Sequence, residues 1–369
     1  MIYLDSAATS LLKPPSVARA TAMAVRTMAS PGRGSHSAAM RAADTVFACR
    51  EAAAELFHVP EPERVVFTMN ATHALNIAIH SLVSPGDPVM ISGYEHNSVT
   101  RPLHALGAQV RVAESPLFDP EAAVSAFRRA LPGAKAAVCT MVSNVFGYLL
   151  PVREIAELCA AAGVPLIVDA SQAAGCVAFD AAALGAAFVA MPGHKGLLGP
   201  QGTGILLCFA QPKPLLCGGT GSQSVLQDMP EELPDRLEAG THNVPGIAGL
   251  LAGIRYLSAQ GVEHIERRAQ RLTAQLRAQP RLEVFASPDP ACQTAVLSVR
   301  CRDMDSELLA QKLARYGIAV RAGLHCAPVA HRTAGTLETG TVRLSLSPFN
   351  TDAEIARTAR VFHEILRAG

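Results

Sequence analysis

Val164-Pro-Leu-Ile-Val-Asp-Ala-Ser-Gln172 is the stretch that decides the fold, and Pro192-Gly-His-Lys-Gly-Leu-Leu-Gly-Pro-Gln-Gly-Thr-Gly204 follows it after a short spacer. Residues 164–168 form a short apolar run that ends in Asp169, which predicts a buried parallel strand. Open α/β sheets bind ligands at the carboxyl ends of their strands. Asp169 is therefore expected at a ligand-binding edge.

The second segment places Lys195 directly after His194 and among glycines. Glycines let the backbone come close to a ligand. A lysine amine on such a loop, near a carboxylate at a strand end, suits covalent catalysis through a Schiff base. The cofactor that we infer is pyridoxal 5'-phosphate (PLP), with Lys195 holding its aldehyde and Asp169 paired with its pyridinium nitrogen.

Each of these two features also has a simpler interpretation. A strand that ends in Asp is common in α/β proteins, and a glycine-rich turn with one lysine is usually a solvated loop. The loop is not a nucleotide-binding P-loop, because no Ser or Thr follows its lysine. The combination is more specific, since only Lys195 stands among glycines with a histidine before it. The other lysines are Lys13, Lys135, Lys213 and Lys312.

The composition bounds the possible functions. A chain of 369 residues is long enough for about two domains. The formal net charge is +1 and the arginines are dispersed, which argues against a nucleic-acid-binding face. The longest apolar runs are well short of the roughly 18 residues of a membrane span, and no basic-then-apolar leader is seen. We therefore expect a cytoplasmic protein with neither nucleic acid nor a membrane as partner.

The nine cysteines are scattered, without a Cys-x-x-Cys pair or a zinc-ribbon spacing. Such usage fits a reducing compartment with free thiols. We expect eight of the nine to be buried and chemically inert.

The order of apolar runs and amphipathic segments predicts a mostly parallel sheet. Strands are predicted at 64–68, 88–92, 136–141, 164–168 and 204–209, and helices at 14–28, 38–57, 120–129 and 152–162. From about residue 250 two long helices extend to about 279, followed by strands at 282–286, 294–300 and 317–321 and a helix at 304–315. We predict a large domain of residues 14–249 and a small domain of residues 1–13 and 250–369.

Asp169-Ala-Ser-Gln172 followed by Gly193-His-Lys195 resembles the signature of the class-V PLP enzymes, and specifically of the cysteine desulfurase and selenocysteine lyase group. The resemblance extends from Tyr3-Leu-Asp-Ser-Ala-Ala-Thr9 to Arg343-Leu-Ser-Leu-Ser-Pro-Phe-Asn350. It implies an α/β fold of the fold-type I PLP-dependent transferases. Such proteins have a large domain with a mostly parallel seven-stranded sheet and a smaller α+β C-terminal domain.

The resemblance assigns four residues to the cofactor ring and its surroundings. Gln172 would hydrogen-bond the phenolate oxygen of PLP, and His194 would reach the phosphate. His96 would stack on the ring and move protons, which suits an imidazole that titrates near neutrality. Asn144 would contact both cofactor and substrate, although Asn in such a position is also typical of a turn.

The turn Asn70-Ala71-Thr72 looks like the phosphate-binding turn of the family, so Ala71 and Thr72 would bind the phosphate at a helix N-terminus. The family usually has Gly-Thr-Thr here, so one hydroxyl is missing. Pro192 stands where the family commonly has a phosphate-binding serine. The simpler interpretation of Thr72 is a helix N-cap.

Thr241 lies in Glu238-Ala-Gly-Thr-His-Asn-Val-Pro-Gly246, which matches a family element whose threonine reaches the phosphate of the partner subunit. The resemblance therefore implies a homodimer with shared active sites. The alternative is an ordinary Gly-Pro turn before a helix.

Val320-Arg-Ala-Gly-Leu-His-Cys-Ala-Pro328 resembles the desulfurase element Arg-x-Gly-x-His-Cys-Ala, whose cysteine is the nucleophile. Cys326 would attack the substrate sulfur and become a persulfide, and the neighbouring His325 and Arg321 would favour its thiolate. Two alternatives are a structural cysteine and a metal site of His325, Cys326 and His331. The spacing is not a standard zinc pattern, so we predict no metal.

Arg343 matches the arginine that binds the substrate carboxylate bidentately, and Arg321 is a second candidate. His36 belongs to an Arg-Gly-x-His element that reaches the active site in the family, and it is otherwise a surface-loop histidine. The compact segment between Cys326 and Arg343 is typical of the short-loop subgroup, which usually passes sulfur to an acceptor protein.

Taken together, the resemblance implies a homodimeric enzyme that converts L-cysteine to L-alanine and places the sulfur on Cys326. Lys195 would also shuttle the α-proton. The alternatives are a selenocysteine lyase acting on L-selenocysteine, another class-V aminotransferase or lyase, and a non-catalytic scaffold with this fold.

Overall fold

The structure is a computed structural model that describes residues 1–32, 34–277, 279 and 281–367. The strands are β1 Ile2–Tyr3, β2 Val65–Thr68, β3 Pro88–Ser92, β4 Gln109–Ala113, β5 Ala136–Thr140, β6 Leu166–Asp169, β7 Phe188–Pro192, β8 Gly204–Cys208, β9 Leu282–Phe285, β10 Val296–Cys301, β11 Ile318–Ala319, β12 Arg321–Gly323 and β13 Thr341–Ser345. The α-helices are α1 Pro15–Thr27, α2 Ser37–Phe57, α3 Ala71–Leu82, α4 Asn97–Ala105, α5 Pro120–Ala130, α6 Val152–Ala161, α7 Val244–Gln260, α8 Val262–Ala274, α9 Ser306–Arg315, α10 Pro328–Thr333 and α11 Asp352–Arg367.

Seven strands form a large sheet in the order β2-β8-β7-β6-β5-β3-β4. The four pairings from β7 to β4 are parallel, and β8 is antiparallel to both of its neighbours. The predicted mostly parallel seven-stranded sheet is therefore confirmed. Since β3, β5, β6 and β7 run the same way, their carboxyl ends meet at one edge.

Both faces of the large sheet are covered by helices, as parallel sheets require. In β6, Leu166 and Val168 join a core with α2, α6 and α7, whereas Ile167 joins a second core with α3 and α4. Full burial of each such side chain contributes about 1.5–3 kcal/mol. This two-sided burial explains why the strand is a continuous apolar run that ends in a polar residue.

A small antiparallel sheet has the order β12-β13-β10-β9, and β1 pairs with β11 beside it. Ile2 and Leu4 pack in the core of this unit with residues of β10, α9 and α11. Helix α7 runs through the predicted boundary at residues 249 and 250 and packs Leu250, Ile254 and Leu257 against the large sheet. The two-domain division stays a prediction.

Four strands, β1, β4, β7 and β13, are absent from the sequence prediction. β4 is an edge strand whose first three residues are exposed, so its apolar signal is weak. The predicted strand at 317–321 is two strands, because β11 pairs with β1 and β12 pairs with β13. In the part of the chain that the structure describes, no helix is both long and apolar enough to cross a membrane.

Candidate active site

A cavity of about 240 Å³ lies at the edge where the carboxyl ends of β3, β5, β6 and β7 meet. This is the location predicted for Asp169, because open α/β sheets bind ligands at the carboxyl ends of their strands. The residues that line the cavity are Ala8, Asn70, Ala71, Thr72, His96, Ser98, Thr140, Val142, Asn144, Asp169, Ser171, Gln172, Pro192, His194 and Lys195. The structure thus brings together eight of the predicted cofactor-binding residues, which are Ala71, Thr72, His96, Asn144, Asp169, Gln172, His194 and Lys195.

Asp169 is the last residue of β6 and is buried at the cavity wall. Its Oδ1 atom accepts a hydrogen bond of 2.9 Å from the Ser171 amide. Thr140, its partner in β5, donates its hydroxyl to the Asp169 carbonyl at 3.4 Å. These contacts fix a carboxylate that faces the cavity.

Lys195 lies on the loop after β7 and lines the same cavity. Burial, together with the positive charges of Arg343 and Arg321, lowers the pKa of its amine to about 8, although Asp169 acts in the opposite direction. An amine with this pKa has a sizeable neutral fraction near pH 7–8 and is a competent nucleophile toward an aldehyde.

The glycines on either side of Lys195 are required by close packing within the protein. A Cβ atom at Gly193 would lie 2.1 Å from the Thr203 hydroxyl, and one at Gly196 would lie 2.2 Å from the Ala174 carbonyl. These glycines therefore allow neighbouring segments of the protein to approach each other. A role of these glycines in a close approach to a ligand stays a prediction.

His96 follows β3 and forms the N-cap of α4, where its Nδ1 atom accepts a hydrogen bond of 3.0 Å from the Ser98 amide. A backbone amide can only donate, so the proton of the neutral ring lies on Nε2. Burial, with the charges of Lys195 and Arg343, lowers the pKa of His96 to about 4. His96 is therefore a neutral ring that can stack on an aromatic cofactor and donate from Nε2.

The N-terminus of α3 closes one end of the cavity. Asn70 is the N-cap, and its side chain accepts a hydrogen bond of 2.9 Å from the His73 amide. The alternative interpretation of Thr72 as an N-cap is therefore wrong, and the Thr72 hydroxyl is available to the cavity. The first-turn amides at Ala71 and Thr72 have no acceptor within the helix, so this end of the cavity suits an anion.

Two residues that the sequence analysis did not select lie in the same region. The Ser98 hydroxyl is 2.8 Å from the Thr72 hydroxyl and 2.9 Å from Nδ1 of His96. Glu95 is fully buried, and its Oε1 atom accepts a hydrogen bond of 2.7 Å from the Thr140 amide. Burial raises the pKa of Glu95 to about 8, so it holds its proton at neutral pH and adds no second negative charge beside Asp169.

Gln172 and His194 bind the N-terminal segment as well as lining the cavity. The Gln172 amide donates to the Ala7 carbonyl at 3.0 Å, and Nδ1 of His194 lies 3.0 Å from the Thr9 hydroxyl. Burial and the nearby positive charge of Lys195 lower the pKa of His194 to about 4. His194 can therefore serve an anion as a neutral hydrogen-bond donor, without a positive charge.

A second cavity, of about 500 Å³, adjoins the first and shares His96, Asn144, His194 and Lys195 with it. It also brings Arg321, Cys326 and Arg343 to the same space. An amine, a thiol and two guanidinium groups therefore line the same cavity.

Arg343 is buried and is held on two sides. One terminal nitrogen donates to the Asn144 carbonyl at 3.0 Å, and the other donates to Asp5 at 2.9 Å. Its Nε atom is buried without a partner among the residues that the structure describes. An unpaired guanidinium donor beside the cavity fits a site for a carboxylate.

Cys326 is exposed at the end of a short loop in which His325 and Cys326 both have left-handed backbones, with φ of 50° and 56°. Two hydrogen bonds of 2.8 Å hold this strained loop. The Asn144 side chain donates to the His325 carbonyl, and the Asn97 amide donates to the Cys326 carbonyl. The thiol is thus presented by a fixed backbone.

His325 does not carry the positive charge with which it was expected to favour the Cys326 thiolate. His325 is buried, and burial together with the charge of Arg343 lowers its pKa to about 2. The ring is therefore neutral and supplies no positive charge to the thiol. The cationic groups that line this cavity with Cys326 are Arg321, Arg343 and the protonated form of Lys195.

The metal alternative finds no support. Within residues 1–32, 34–277, 279 and 281–367, no group of three or more His, Cys, Asp or Glu side chains is arranged to hold a metal ion. The rings of His325 and His331 are 5.7 Å apart and buried, whereas Cys326 is exposed.

All nine cysteines are free, as predicted. The prediction that eight are buried is wrong for Cys217, which is exposed like Cys326, and Cys176 and Cys292 are only partly buried. Cys217 lies outside the lining of both cavities.

Two predicted site residues lie outside both cavities within one chain. Thr241 is exposed and lines a separate cavity of about 220 Å³ with Glu238 and His242. His36 is exposed and caps α2, where its Nδ1 atom accepts from the Ala39 amide at 3.3 Å. Arg33, from the same predicted element as His36, lies outside the described residues. The roles of Thr241 and His36 stay predictions.

Comparison with known proteins agrees with this geometry. The chain matches the aminotransferase class-V family over residues 2–358. A probable cysteine desulfurase of Methanothermobacter thermautotrophicus is 34% identical, and the alignment covers 100% of this chain and 95% of that protein. The solved apo structure of a cysteine desulfurase from Thermococcus onnurineus NA1 has a TM-score of 0.91 at 30% identity, and it covers 100% of this chain and 95% of that one.

A solved structure of an Escherichia coli cysteine desulfurase has a TM-score of 0.85 at 28% identity, with 99% of this chain and 94% of that chain covered. The fold-type I architecture predicted from the sequence is therefore confirmed. The chain belongs to the aminotransferase class-V family, in which its relatives include proteins named cysteine desulfurases.

Proposed function

We propose that this protein is a PLP-dependent cysteine desulfurase that converts L-cysteine to L-alanine and transfers the sulfur to Cys326 as a persulfide. The observation that carries the proposal is the cavity of about 500 Å³ that Lys195, Cys326 and Arg343 share. The names of the relatives support the same activity.

The donor set of the smaller cavity fits PLP. An anion site at the α3 N-terminus, a carboxylate at Asp169 and an amine at Lys195 match the phosphate, the pyridinium nitrogen and the aldehyde of the cofactor. When bound, PLP supplies an electron sink for the α-carbon of an amino acid. Asp169 would keep the pyridinium nitrogen protonated, and the neutral ring of His96 would stack on the cofactor.

The protein's own groups would carry the remaining steps. Arg343 would bind the substrate carboxylate, and Lys195 would move the α-proton after it releases the cofactor aldehyde. The Cys326 sulfur would form a bond to the substrate sulfur as the substrate carbon–sulfur bond breaks. The electron pair of that bond would stay with the carbon skeleton, which takes up protons and leaves as alanine.

Ser98 would supply a hydroxyl at the phosphate end of the cofactor. Ala71 and Pro192 line this end without a side-chain donor, whereas the Ser98 hydroxyl lies 2.8 Å from that of Thr72. We expect Ser98→Ala to raise the PLP dissociation constant of the apoprotein about tenfold, the usual effect of losing a charge-assisted hydrogen bond. Fluorescence titration with PLP measures this. Thr100→Ser, a hydroxyl residue of α4 outside both cavities, is the control; equal affinity in Ser98→Ala and the wild type would contradict the role.

The activity is tested by incubating the PLP-loaded protein with L-cysteine and a reductant. We expect L-alanine and sulfide in equal amounts. Protein that binds PLP but releases no alanine would refute the assignment, and it would direct attention to L-selenocysteine and then to keto-acid-dependent transamination. A parallel assay with L-selenocysteine distinguishes a desulfurase from a selenocysteine lyase.

We further propose that the protein is a cytoplasmic homodimer of sulfur metabolism that passes its sulfur to an acceptor protein. Thr241 supports the dimer, because it is exposed and outside the two cavities of its own chain, as expected for a residue that acts on a partner subunit. The mass in solution, compared with 38.7 kDa for one chain, tests the dimer.

A further inference from the structure

Residues 5–10, which we call the N-terminal strap, run between the small sheet and the cavity that holds Lys195. On one side, the Ala7 amide donates to the Ser345 hydroxyl of β13 at 2.8 Å. On the other side, the Ser10 amide donates to the His194 carbonyl at 3.0 Å. The strap therefore joins the strand that carries Arg343 to the loop that carries Lys195.

Asp5, the first residue of the strap, binds both arginines of the larger cavity. Its Oδ1 atom accepts from Arg343 at 2.9 Å, and its Oδ2 atom accepts from Nε of Arg321 at 3.1 Å. A second nitrogen of Arg321 lies 3.1 Å from the same oxygen. Arg321 and Arg343 line the cavity, whereas Asp5 is buried behind them and is not part of its lining.

The cluster of Asp5, Arg321 and Arg343 contains two guanidinium groups and one carboxylate. The adjoining Tyr3 hydroxyl lies 3.2 Å from the Asp5 carbonyl and 2.9 Å from the Thr9 carbonyl. It carries no charge at neutral pH, because a tyrosine titrates near pH 10 and burial raises its pKa further. One positive charge is thus left over, and one substrate carboxylate would neutralise it. Arg321 also depends on Asp5 for its position, since its side chain is 53% exposed.

We propose that Asp5 is a positioning residue for the substrate carboxylate. It holds the guanidinium groups of Arg321 and Arg343 side by side, and it acts through them without touching the substrate. Arg343 is held between Asp5 and the Asn144 carbonyl, so the guanidinium group that lines the cavity stays in one orientation. The proposal rests on the proposed function only in that the substrate is an α-amino acid.

The test compares L-cysteine with L-cysteine methyl ester, which lacks the carboxylate charge, in the PLP-loaded wild type and in Asp5→Asn. We expect Asp5→Asn to raise KM for L-cysteine about tenfold and to change kcat less than about threefold. For the methyl ester we expect less than a twofold change in kcat/KM. A purely structural role would lower kcat/KM equally for both substrates, and that result, or no change for either, would overturn the proposal.

Two further variants make the result specific. Asp352→Asn breaks an exposed Asp–Arg pair outside both cavities, in which Asp352 accepts from Arg271 at 2.7 Å and 3.1 Å, and it is expected to leave the kinetics of both substrates unchanged. Asp5→Glu keeps the charge but moves it by one methylene, and is expected to raise KM for L-cysteine about threefold with no change for the ester. If Asp5→Asn fails to fold, Asp5→Glu decides, because equal changes for both substrates would overturn the proposal.

A binding measurement separates this proposal from the desulfurase assignment. L-Alanine and L-alanine methyl ester change the absorbance of bound PLP without any sulfur chemistry. We expect Asp5→Asn to weaken the response to L-alanine about tenfold and to leave the response to its ester unchanged. A wild type without desulfurase activity would refute the proposed function, whereas only equal weakening for acid and ester, or no weakening, would refute the role of Asp5.

Discussion

Replacing Lys195 with alanine is expected to abolish the visible absorbance of lysine-bound PLP and to lower kcat at least about 1,000-fold. Two roles are lost together, the covalent hold on the cofactor aldehyde and the transfer of the α-proton, and general acid–base catalysis alone is worth about 10²–10⁴-fold. The absorbance spectrum of the purified protein with added PLP and the rate of alanine release measure the two effects.

The pH dependence of cofactor attachment provides a second test of Lys195. Its pKa is lowered to about 8, so its amine is mostly protonated below that pH and mostly neutral above it. Only the neutral amine attacks an aldehyde, and the rate of PLP attachment to the apoprotein should therefore rise from pH 6.5 to about 8.5 and then level off. A flat rate over this range would show that another group limits the reaction.

Lys135→Ala is the matched control for both experiments, because Lys135 is exposed and lies outside both cavities. It should keep the absorbance and the activity of the wild type. A Lys195→Ala protein that still showed the absorbance of lysine-bound PLP would place the cofactor on a different amine and would refute the site as described.

The sequence predicts the part of this site that lies at the carboxyl end of β6. The apolar run of β6 must be buried on both faces, and the residue after it must stand at the ligand-binding edge, so Asp169 follows from local pattern and general topology. His96 after β3 and Asn144 after β5 lie at the same edge, but the sequence identifies them through the family resemblance, since a lone histidine is usually structural and an asparagine after a strand is typical of a turn.

Other parts of the site had no local signal. Asp5 binds Arg321 and Arg343 across 316 and 338 residues of sequence, and before the fold is known it is only an acidic residue in an extended segment. Ser98 has no distinctive local signal either, since a serine in the first turn of a helix is common. Its proximity to Thr72 arises from the packing of α3 against α4.

The charge states of buried side chains could not be predicted from the sequence either. His325 stands directly before Cys326, a position that suggests an activating cation, yet its ring is buried and neutral. Glu95 stands next to His96 and is protonated because it is buried. In both cases desolvation is the largest cause of the pKa shift, and desolvation depends on the whole fold.

Replacing Cys326 with alanine is expected to leave PLP binding intact and to lower alanine release from L-cysteine at least about 100-fold. Cys326 is exposed at the tip of its loop and lines the larger cavity but not the smaller one proposed for PLP. Its replacement therefore removes the sulfur acceptor and leaves the residues proposed to bind PLP in place. Mass spectrometry without reductant should find one added sulfur atom on Cys326 of the wild type after exposure to L-cysteine. The variant should carry none.

Cys217→Ala provides the control for Cys326→Ala, because these are the two exposed cysteines of the chain. If Cys217→Ala also lost activity, or if sulfur were found on Cys217, the fixed presentation of Cys326 by Asn97 and Asn144 would not define the acceptor. L-Selenocysteine provides a further test. Its carbon–selenium bond breaks more readily than the carbon–sulfur bond of L-cysteine, so its cleavage depends less on attack by the Cys326 thiol. Cys326→Ala should therefore retain much more activity toward L-selenocysteine than toward L-cysteine, and equal losses for the two substrates would assign Cys326 a role in shaping the cavity.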